Sequence, residues 1–525
     1  MRTFEAGSSR LTPPRRRWFR AGGLGIAIAA TLATVGCATA AETPGADTLT
    51  VGWLYASGVA QTYDPAVDGY PGDSIAQQCV YDTLLHFDAT KDEWIHFEPG
   101  LATDWTVAPD LTWIELELRQ GVTFTDGEIF DAEATKAIME YLITNAALPV
   151  ESIDVVDEYR VRVNFAEPLS VTAPGGMLPL LGEVQVVSPE AIKDRDALVE
   201  NPVGTGPYTL NKEETTLGVE YVCERIDDYW DAESYPFKTI VVRQYADVVG
   251  ATNALKSGQI DMTAIDATVA AELEGDGFNL IKGYPAWSGL VLGDKTGQIV
   301  PALADVRVRQ AMNYAFDRQA IAEALDGGYS VPTNQVYNET WPEYRPDRVD
   351  DYAFDLDRAR ELMAEAGYAD GFDLVLPAYG GTATTGSTKY DPIIAQSLAE
   401  IGIRVTFEPR TWEQQIPDLE QSRYAVSVWF SAAYTITTRL LVDKGVGPFN
   451  PWPTGETVTA ELLEEVRFGD AEESRAASEE LGDYLMDEAW FVPLTSPQSL
   501  WATKPGVTAR FLFGLPPLLS TLQPE

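Results

Sequence analysis

Histidine is nearly absent from this chain: His86 and His96 are the only two in 525 residues. Neither belongs to a His-Glu-x-x-His or Cys-x-x-Cys arrangement, so a zinc hydrolase or dithiol redox centre has no ligands to build on. Each histidine reads as a satisfied structural group. A Gly-x-Ser-x-Gly elbow and a Gly-x-x-x-x-Gly-Lys-Ser/Thr phosphate loop are also missing, and Gly204-Thr-Gly206 before Pro207 is better explained by a turn than by phosphate. Positive charge is scarce, with 37 basic against 80 acidic side chains. Six arginines and one glutamate fall in the first 36 residues, which leaves the remainder at a formal −48. Such a field disfavours nucleic acid and anionic membrane surfaces as partners and keeps the protein soluble. There is no internal repeat, and the one biased segment, Gly380 to Gly386 with its Thr neighbours, is expected to be a mobile loop.

Cysteine is scarce too, and each of the three residues asks a different question. Cys37 follows a positive region (Arg15 to Arg17 and Arg20) and a weakly apolar, uncharged stretch from Ala21 to Gly36. That is an export signal, too short and too rich in Gly and Ala to favour a membrane span. Arg16-Arg-Trp-Phe19 also suits a twin-arginine signal, with Arg20 as a departure. Thr34-Val-Gly-Cys37 looks like a lipoprotein cleavage box, so lipidation at Cys37 is favoured over plain secretion. Residues 38–47 are then a flexible tether. Cys79 and Cys223 are either a disulfide or two buried thiols, since spacing in sequence does not place their α-carbons.

What is present is ample apolar material, 45% of residues, in a chain too long for one core. Thr48 to Tyr55 alternates as a first strand, turns are marked by Asp64-Pro65 and Gly69 to Gly72, and Ile75 to Leu85 is helical. Strands are expected at Trp113 to Arg119, Arg160 to Phe165, Phe237 to Tyr245 and Ile260 to Met262, with helices at Asp131 to Leu142 and Ala251 to Gly258. Beyond about Leu290, helices at Val306 to Leu325, Leu356 to Ala366 and Pro392 to Glu400 alternate with strands at Leu374 to Leu376, Val405 to Phe407 and Ala425 to Trp429. The pattern implies an α/β sheet. Phe491 to Pro493 then returns the chain to the first lobe, and two crossings between lobes make a hinged clamp with a solute enclosed at the junction.

The segment Leu303 to Ile321 is amphipathic, with Val306, Val308, Met312, Ala315, Phe316 and Ile321 on one side. Arg307, Arg309, Asp317 and Arg318 are expected on the wetter side. It resembles the central helix of the peptide, nickel and oligosaccharide receptors of ATP-driven importers, the family 5 solute-binding proteins. The resemblance recurs in order: Ile75-Ala-Gln-Gln-Cys-Val-Tyr-Asp-Thr-Leu-Leu85, Pro99-Gly-Leu-Ala-Thr-Asp-Trp105, Leu118 to Glu133, Asn201-Pro-Val-Gly-Thr-Gly-Pro-Tyr208 leading to Asp228-Tyr-Trp230, and finally this helix followed by Asp357 to Tyr368. It implies an α/β, two-lobed periplasmic-binding-protein-like fold with an additional subdomain inserted in the first lobe. The expected boundaries are 1–37 for the signal, 38–47 for the tether, 48–289 for lobe I with its insert at about 86–200, 290–493 for lobe II, and 494–525 for the return to lobe I.

The resemblance further implies a monomeric receptor outside the cytoplasm, lipid-anchored at the cell membrane or periplasmic, that hands a small solute to a membrane permease driven by a separate ATPase. No cofactor, metal or nucleic acid is expected, and no catalysis. Carboxylates are numerous enough to hide an acid pair, so a secreted hydrolase of oligosaccharides is the rival class. Peptide-binding relatives carry a segment like Trp-x-Ala-Asp-Tyr whose Asp pairs with the peptide amino end. The matching stretch here is Phe430-Ser-Ala-Ala-Tyr434, with Ala433 at the Asp position. A buried ammonium left without that carboxylate is costly, which argues against ordinary peptides. Around it the expected ligand contacts are aromatic: Trp429, Phe430 and Tyr434, with Trp53 and Tyr55 at the end of the first strand and Trp287 near the first crossing. Flat rings stack on sugars, aromatic solutes or modified peptides, and Arg439 could hold an acidic group.

Overall fold

A computed structural model of the chain describes residues 47–54, 63–66, 75–88, 96–146, 150–172, 176–283, 287–339, 341–380, 387–411, 414–431, 451, 457–469, 471–511 and 517–525. The export signal with Cys37, the turn at Gly69 to Gly72 and the loop after Gly380 lie outside the described residues.

The first part of the chain runs β1 (Thr48–Leu54), α1 (Ile75–Val80), β2 (Leu85–Phe87), β3 (Phe97–Pro99), β4 (Ala102–Val107), β5 (Trp113–Leu118), α2 (Ala132–Ala146), β6 (Ser152–Asp157), β7 (Arg160–Asn164) and α3 (Met177–Glu183). It continues through β8 (Tyr208–Leu210), β9 (Glu220–Arg225), β10 (Thr239–Tyr245), α4 (Val248–Lys256), β11 (Met262–Ile265), α5 (Ala267–Gly275) and β12 (Asn279–Gly283). The remainder is β13 (Trp287–Leu292), α6 (Val306–Tyr314), α7 (Arg318–Asp326), β14 (Ser330–Pro332), α8 (Leu356–Glu365), β15 (Phe372–Gly380), α9 (Asp391–Ala399), β16 (Ile403–Thr411), α10 (Gln415–Glu420), β17 (Val426–Ser431), α11 (Thr457–Phe468), α12 (Ala471–Asp487), β18 (Phe491–Pro497) and β19 (Ser499–Thr503).

These strands form a mixed seven-stranded sheet in the order β12-β19-β11-β1-β10-β9-β8 and an antiparallel four-stranded sheet in the order β4-β5-β7-β6. A second antiparallel sheet has the order β14-β18-β13-β17, and β15 and β16 make a parallel pair. β1 lies parallel to β10 from Thr48 opposite Thr239 to Leu54 opposite Tyr245. Its five central residues are all buried, as a strand covered on both faces must be. Sheet membership changes between β12 and β13 and changes back between β18 and β19, so two short connections join the two halves of this mixed α/β fold. At the head of the parallel pair Gly371 has φ +69°, and a Cβ there would collide with the Gly402 carbonyl, so both conformation and space require glycine.

Several expectations are corrected. The helix read from Ile75 to Leu85 ends at Val80, with Leu85 already in β2. Phe491 to Pro493, read as the return to the first lobe, belong to β18 of the second sheet, so that the chain rejoins the seven-stranded sheet only at β19. The helix read as continuous from Val306 to Leu325 is two helices, because the Asp317 side chain accepts from the Ala320 amide at 3.0 Å and starts α7 afresh. Nor do Arg309 and Arg318 face water, being only 3% and 8% exposed. Arg309 donates to the Glu488 carbonyl at 2.9 Å and the Leu303 carbonyl at 2.8 Å and pairs with the Glu488 carboxylate at 3.0 Å. Arg318 donates to the carbonyls of Pro493 and Tyr352, both at 2.8 Å, and of Asn313 at 3.1 Å. With Asn313 donating to the Phe491 carbonyl at 3.0 Å, they brace the approach to β18 and its first turns of chain. The apolar half of the expectation stands: Val308, Met312, Ala315, Phe316 and Ile321 are buried, with Val306 half-buried.

Candidate functional site

Strand pairing brings two of the expected binding residues onto one face. In the antiparallel ladder of β13 and β17, Trp287 lies opposite Ser431 and Gly289 opposite Trp429. Side chains alternate along a strand, so Trp287, Gly289 and Val291 share a face with Trp429, while Leu290, Leu292, Val426 and Val428 point to the other. The second set packs against α6, α8 and α9. The first set enters a separate aromatic cluster with Tyr337, Trp341, Trp490 and Phe491, closed by residues of α11 and α12. Gly289, opposite Trp429, lies where the β13–β18 ladder shifts register, and any Cβ there would strike the Val492 carbonyl.

Trp287 is 1% exposed and stands edge-on to Phe491, with centroids 5.4 Å apart and planes at 74°. Its indole Nε1 is buried and has no acceptor among the described residues. A buried donor left in that state costs about 1–3 kcal/mol unless something beyond the described residues satisfies it. Trp429 is likewise buried. Phe430 lies in β17 opposite Ser288. Across the sheet change, Trp53 lies near the end of β1 opposite Gln244. It is 8% exposed, and its ring is 5.6 Å from Trp501 at 50°. Tyr55, Tyr434 and Arg439, which were expected to complete the set, lie outside the described residues, as does Ala433.

Two other regions compete for attention and are closed chemically. A small pocket of about 20 Å³ sits between the Asn334–Tyr337 turn, α12 and β18. Its polar walls serve the fold: Asn334 donates to the carbonyls of Arg348 and Asp351, and Gln335 both donates to the Arg345 carbonyl and accepts from the Arg345 amide. The other region is the buried carboxylate Asp82, just past α1, which sequence reasoning carried within one family-like segment without pairing it. It is 2.6 Å from His86 Nε2 and accepts from Tyr229 Oη at 2.7 Å and Trp230 Nε1 at 2.9 Å. Arg119 caps the Trp230 ring at 3.7 Å. Burial alone would raise the Asp82 carboxyl, but His86 and these donors hold it below the usual carboxylate range. Burial would lower His86, and the Asp82 charge raises it instead. The result is a saturated structural network in which Asp82 of one segment meets Tyr229 and Trp230 of another.

The Gly204-Thr-Gly206 loop belongs to the same hub. A Cβ at either glycine would collide with the backbone of Val80, and the Gly206 amide donates to the Val80 carbonyl at 2.8 Å. The glycines serve close packing against α1. Among the described residues no cluster of His, Cys, Asp and Glu has the grouping to hold a metal ion, and no helix is long and apolar enough to cross a membrane.

Comparison with known proteins gives one consistent neighbourhood. Residues 96–439 match the family model described as bacterial extracellular solute-binding proteins, family 5 middle. The chain is 25% identical over 459 residues to the glutathione-binding protein GsiB of Salmonella paratyphi A, covering 82% of this chain and 86% of that protein. The fold is shared with NikA from Brucella suis in complex with Fe(III)-EDTA, at TM-score 0.76 and 23% identity over 91% of this chain and 100% of that one. It is shared also with DppA from Helicobacter pylori in complex with the peptide STSA, at TM-score 0.71 and 21% identity over 91% and 98%.

Proposed function

Because the chain belongs to the family 5 bacterial extracellular solute-binding proteins, we propose that the aromatic face of β13 and β17 holds the ring or planar part of a small organic solute in an ABC import system. Members of the family are transport-associated binding proteins rather than enzymes, so the hydrolase alternative is not supported. They take up small solutes outside the cytoplasm and deliver them to a permease and its ATPase. The observation that carries the ligand reading is the buried Trp287 Nε1, a donor with no acceptor among the described residues, set on the same strand face as Trp429. A solute acceptor, or a water carried in with the solute, satisfies it.

Trp53 is assigned to the facing contact from the first lobe, with Tyr55, Phe430 and Tyr434 extending the aromatic surface and Arg439 meeting an acidic group. The lobes are taken to divide and rejoin where sheet membership changes, between Gly283 and Trp287 and between Pro497 and Ser499, a few residues from the expected 290 and 493. The proposed candidates are an oligosaccharide or another uncharged, ring-bearing solute first and a modified peptide next, the latter in keeping with the glutathione-binding relative. Ala433 argues against generic linear dipeptides, since it leaves a peptide amine without its carboxylate partner. The mature protein is taken to begin at an acylated Cys37 and to act as a monomer.

Native mass spectrometry of protein purified from cells, followed by thermal-shift screening, tests this reading. A solute should be retained and released intact, and at ~100 times its dissociation constant it should stabilise the protein by about 2.7 kcal/mol. Turnover of a nucleotide, peptide or glycoside by the pure chain, abolished by a substitution on the aromatic face, would overturn it. Mass spectrometry of the envelope fraction should show an acylated N-terminal Cys37, and a mature form starting elsewhere contradicts the anchor.

A further inference from the structure

Cys79 and Cys223 are both fully buried free thiols in one hydrophobic cluster, carried by α1 and β9, which pack against each other. They come from opposite ends of the first half of the chain. Cys79 is next to last in α1, and Cys223 lies in β9 between Leu210 of β8 and Ile240 of β10. The meeting is held from both sides. The residue after Cys79 is Val80, whose backbone is pinned by the Gly206 amide at 2.8 Å and pressed by Gly204 and Gly206 so closely that neither position has room for a Cβ. Cys223 is fixed by ladder pairing on both of its edges. Around them the surroundings are aromatic, with Tyr63, Tyr81 and Tyr221 in edge-on contacts and Tyr208 buried alongside. Among the described residues no third metal-ligating group completes a site here, and two thiols on packed neighbouring elements are the arrangement that sulfur–sulfur chemistry requires.

We propose that in the exported protein Cys79 and Cys223 are joined by a disulfide that ties the end of α1 to β9 and closes the loop carrying the inserted four-stranded sheet. The chain's family acts outside the cytoplasm, where disulfides persist. The bond forms by exchange with a disulfide-bearing oxidant. One cysteine thiolate attacks the oxidant disulfide and expels one of its sulfurs. The second cysteine thiolate then attacks the cysteine sulfur of the mixed disulfide and expels the other. The two thiol protons and two electrons leave with the oxidant, now a dithiol. Burial pushes the packed Cys79 thiol well above its ordinary range, so little thiolate exists once this region has closed. Oxidation therefore belongs to folding after export, before α1 settles on β9. A bridge between residues so distant in sequence removes much of the freedom of the unfolded chain.

The test uses the full chain recovered from the cell envelope into acid, denatured, alkylated without reductant, and then digested. The expected product is one linked pair of peptides containing Cys79 and Cys223, unalkylated until reduced. Recovery of both peptides alkylated before reduction overturns the proposal, and this readout needs no variant to fold. Reduction should also lower the denaturant midpoint of the wild type and leave that of a Cys79→Ala/Cys223→Ala double variant unmoved. An equal response of the two proteins to reductant would refute the tie between α1 and β9.

Discussion

Two aromatic regions of the molecule treat their polar edges in opposite ways. Below α1, Tyr229 and Trp230 both donate to Asp82, His86 joins them at 2.6 Å, and Arg119 covers the outer indole face. On the β13 and β17 face, Trp287 keeps a buried Nε1 for which no described residue supplies an acceptor. Both regions are buried, yet among the described residues one has every polar edge partnered and the other does not. Saturation marks the hub as structure, because a buried network tolerates no missing member. The open donor is the observation on which the proposed ligand contact at this face rests.

The largest effect should come from breaking the finished region. Asp82→Ala strands His86, Tyr229 and Trp230 together, and we expect a loss of about 3–5 kcal/mol in denaturant unfolding, with unchanged solute affinity in the folded fraction. A loss of affinity without a loss of stability would erase the contrast between the regions. Arg318→Met comes next. It leaves the carbonyls of Asn313, Tyr352 and Pro493 unserved, and a loss of about 3 kcal/mol is expected by the same measurement. Burial already lowers the Arg318 guanidinium to about 10, still charged at neutral pH.

A smaller effect concerns pH. His86 is raised in the folded protein, so its contribution is fully present below its unfolded value and is lost as pH rises through the folded one. Asp82 is depressed, so its contribution is present above its unfolded value and is lost as pH falls through the folded one. The stability gap between wild type and His86→Asn, from urea titrations, should therefore be wider near about pH 6 than near about pH 9. A gap that widens with pH would mean that His86 is held neutral.

Much of the architecture was legible because it is written in local pattern. The alternation of Thr48 to Leu54, the helices near Leu356 and Asp391 and the strands around Leu374 and Val405 are all present, within a few residues of expectation. What escaped was set by distant partners. Periodicity marked Arg309 and Arg318 as polar and hence wet, but their acceptors are carbonyls supplied far along the chain around β18. Gly204 and Gly206 read as a turn, while their reason is the backbone of Val80 more than a hundred residues away. The aromatic site residues were chosen one by one from the sequence. That Trp287 and Trp429 share a face depends on strand register, which no local window contains.

The central claim is that the open donor on the β13 and β17 face serves the solute. Trp287→Phe keeps an aromatic ring against Phe491 but removes the fused five-membered ring together with its N–H, so binding and stability have to be read side by side. Calorimetric titration of the co-purified solute, paired with unfolding of the same two proteins, measures it. We expect affinity to fall about five- to tenfold, the worth of one hydrogen bond of ~1 kcal/mol, measured on the folded fraction, beside a loss of about 1–3 kcal/mol in unfolding stability from the lost ring atoms. Unchanged affinity in a folded Trp287→Phe protein would contradict the account.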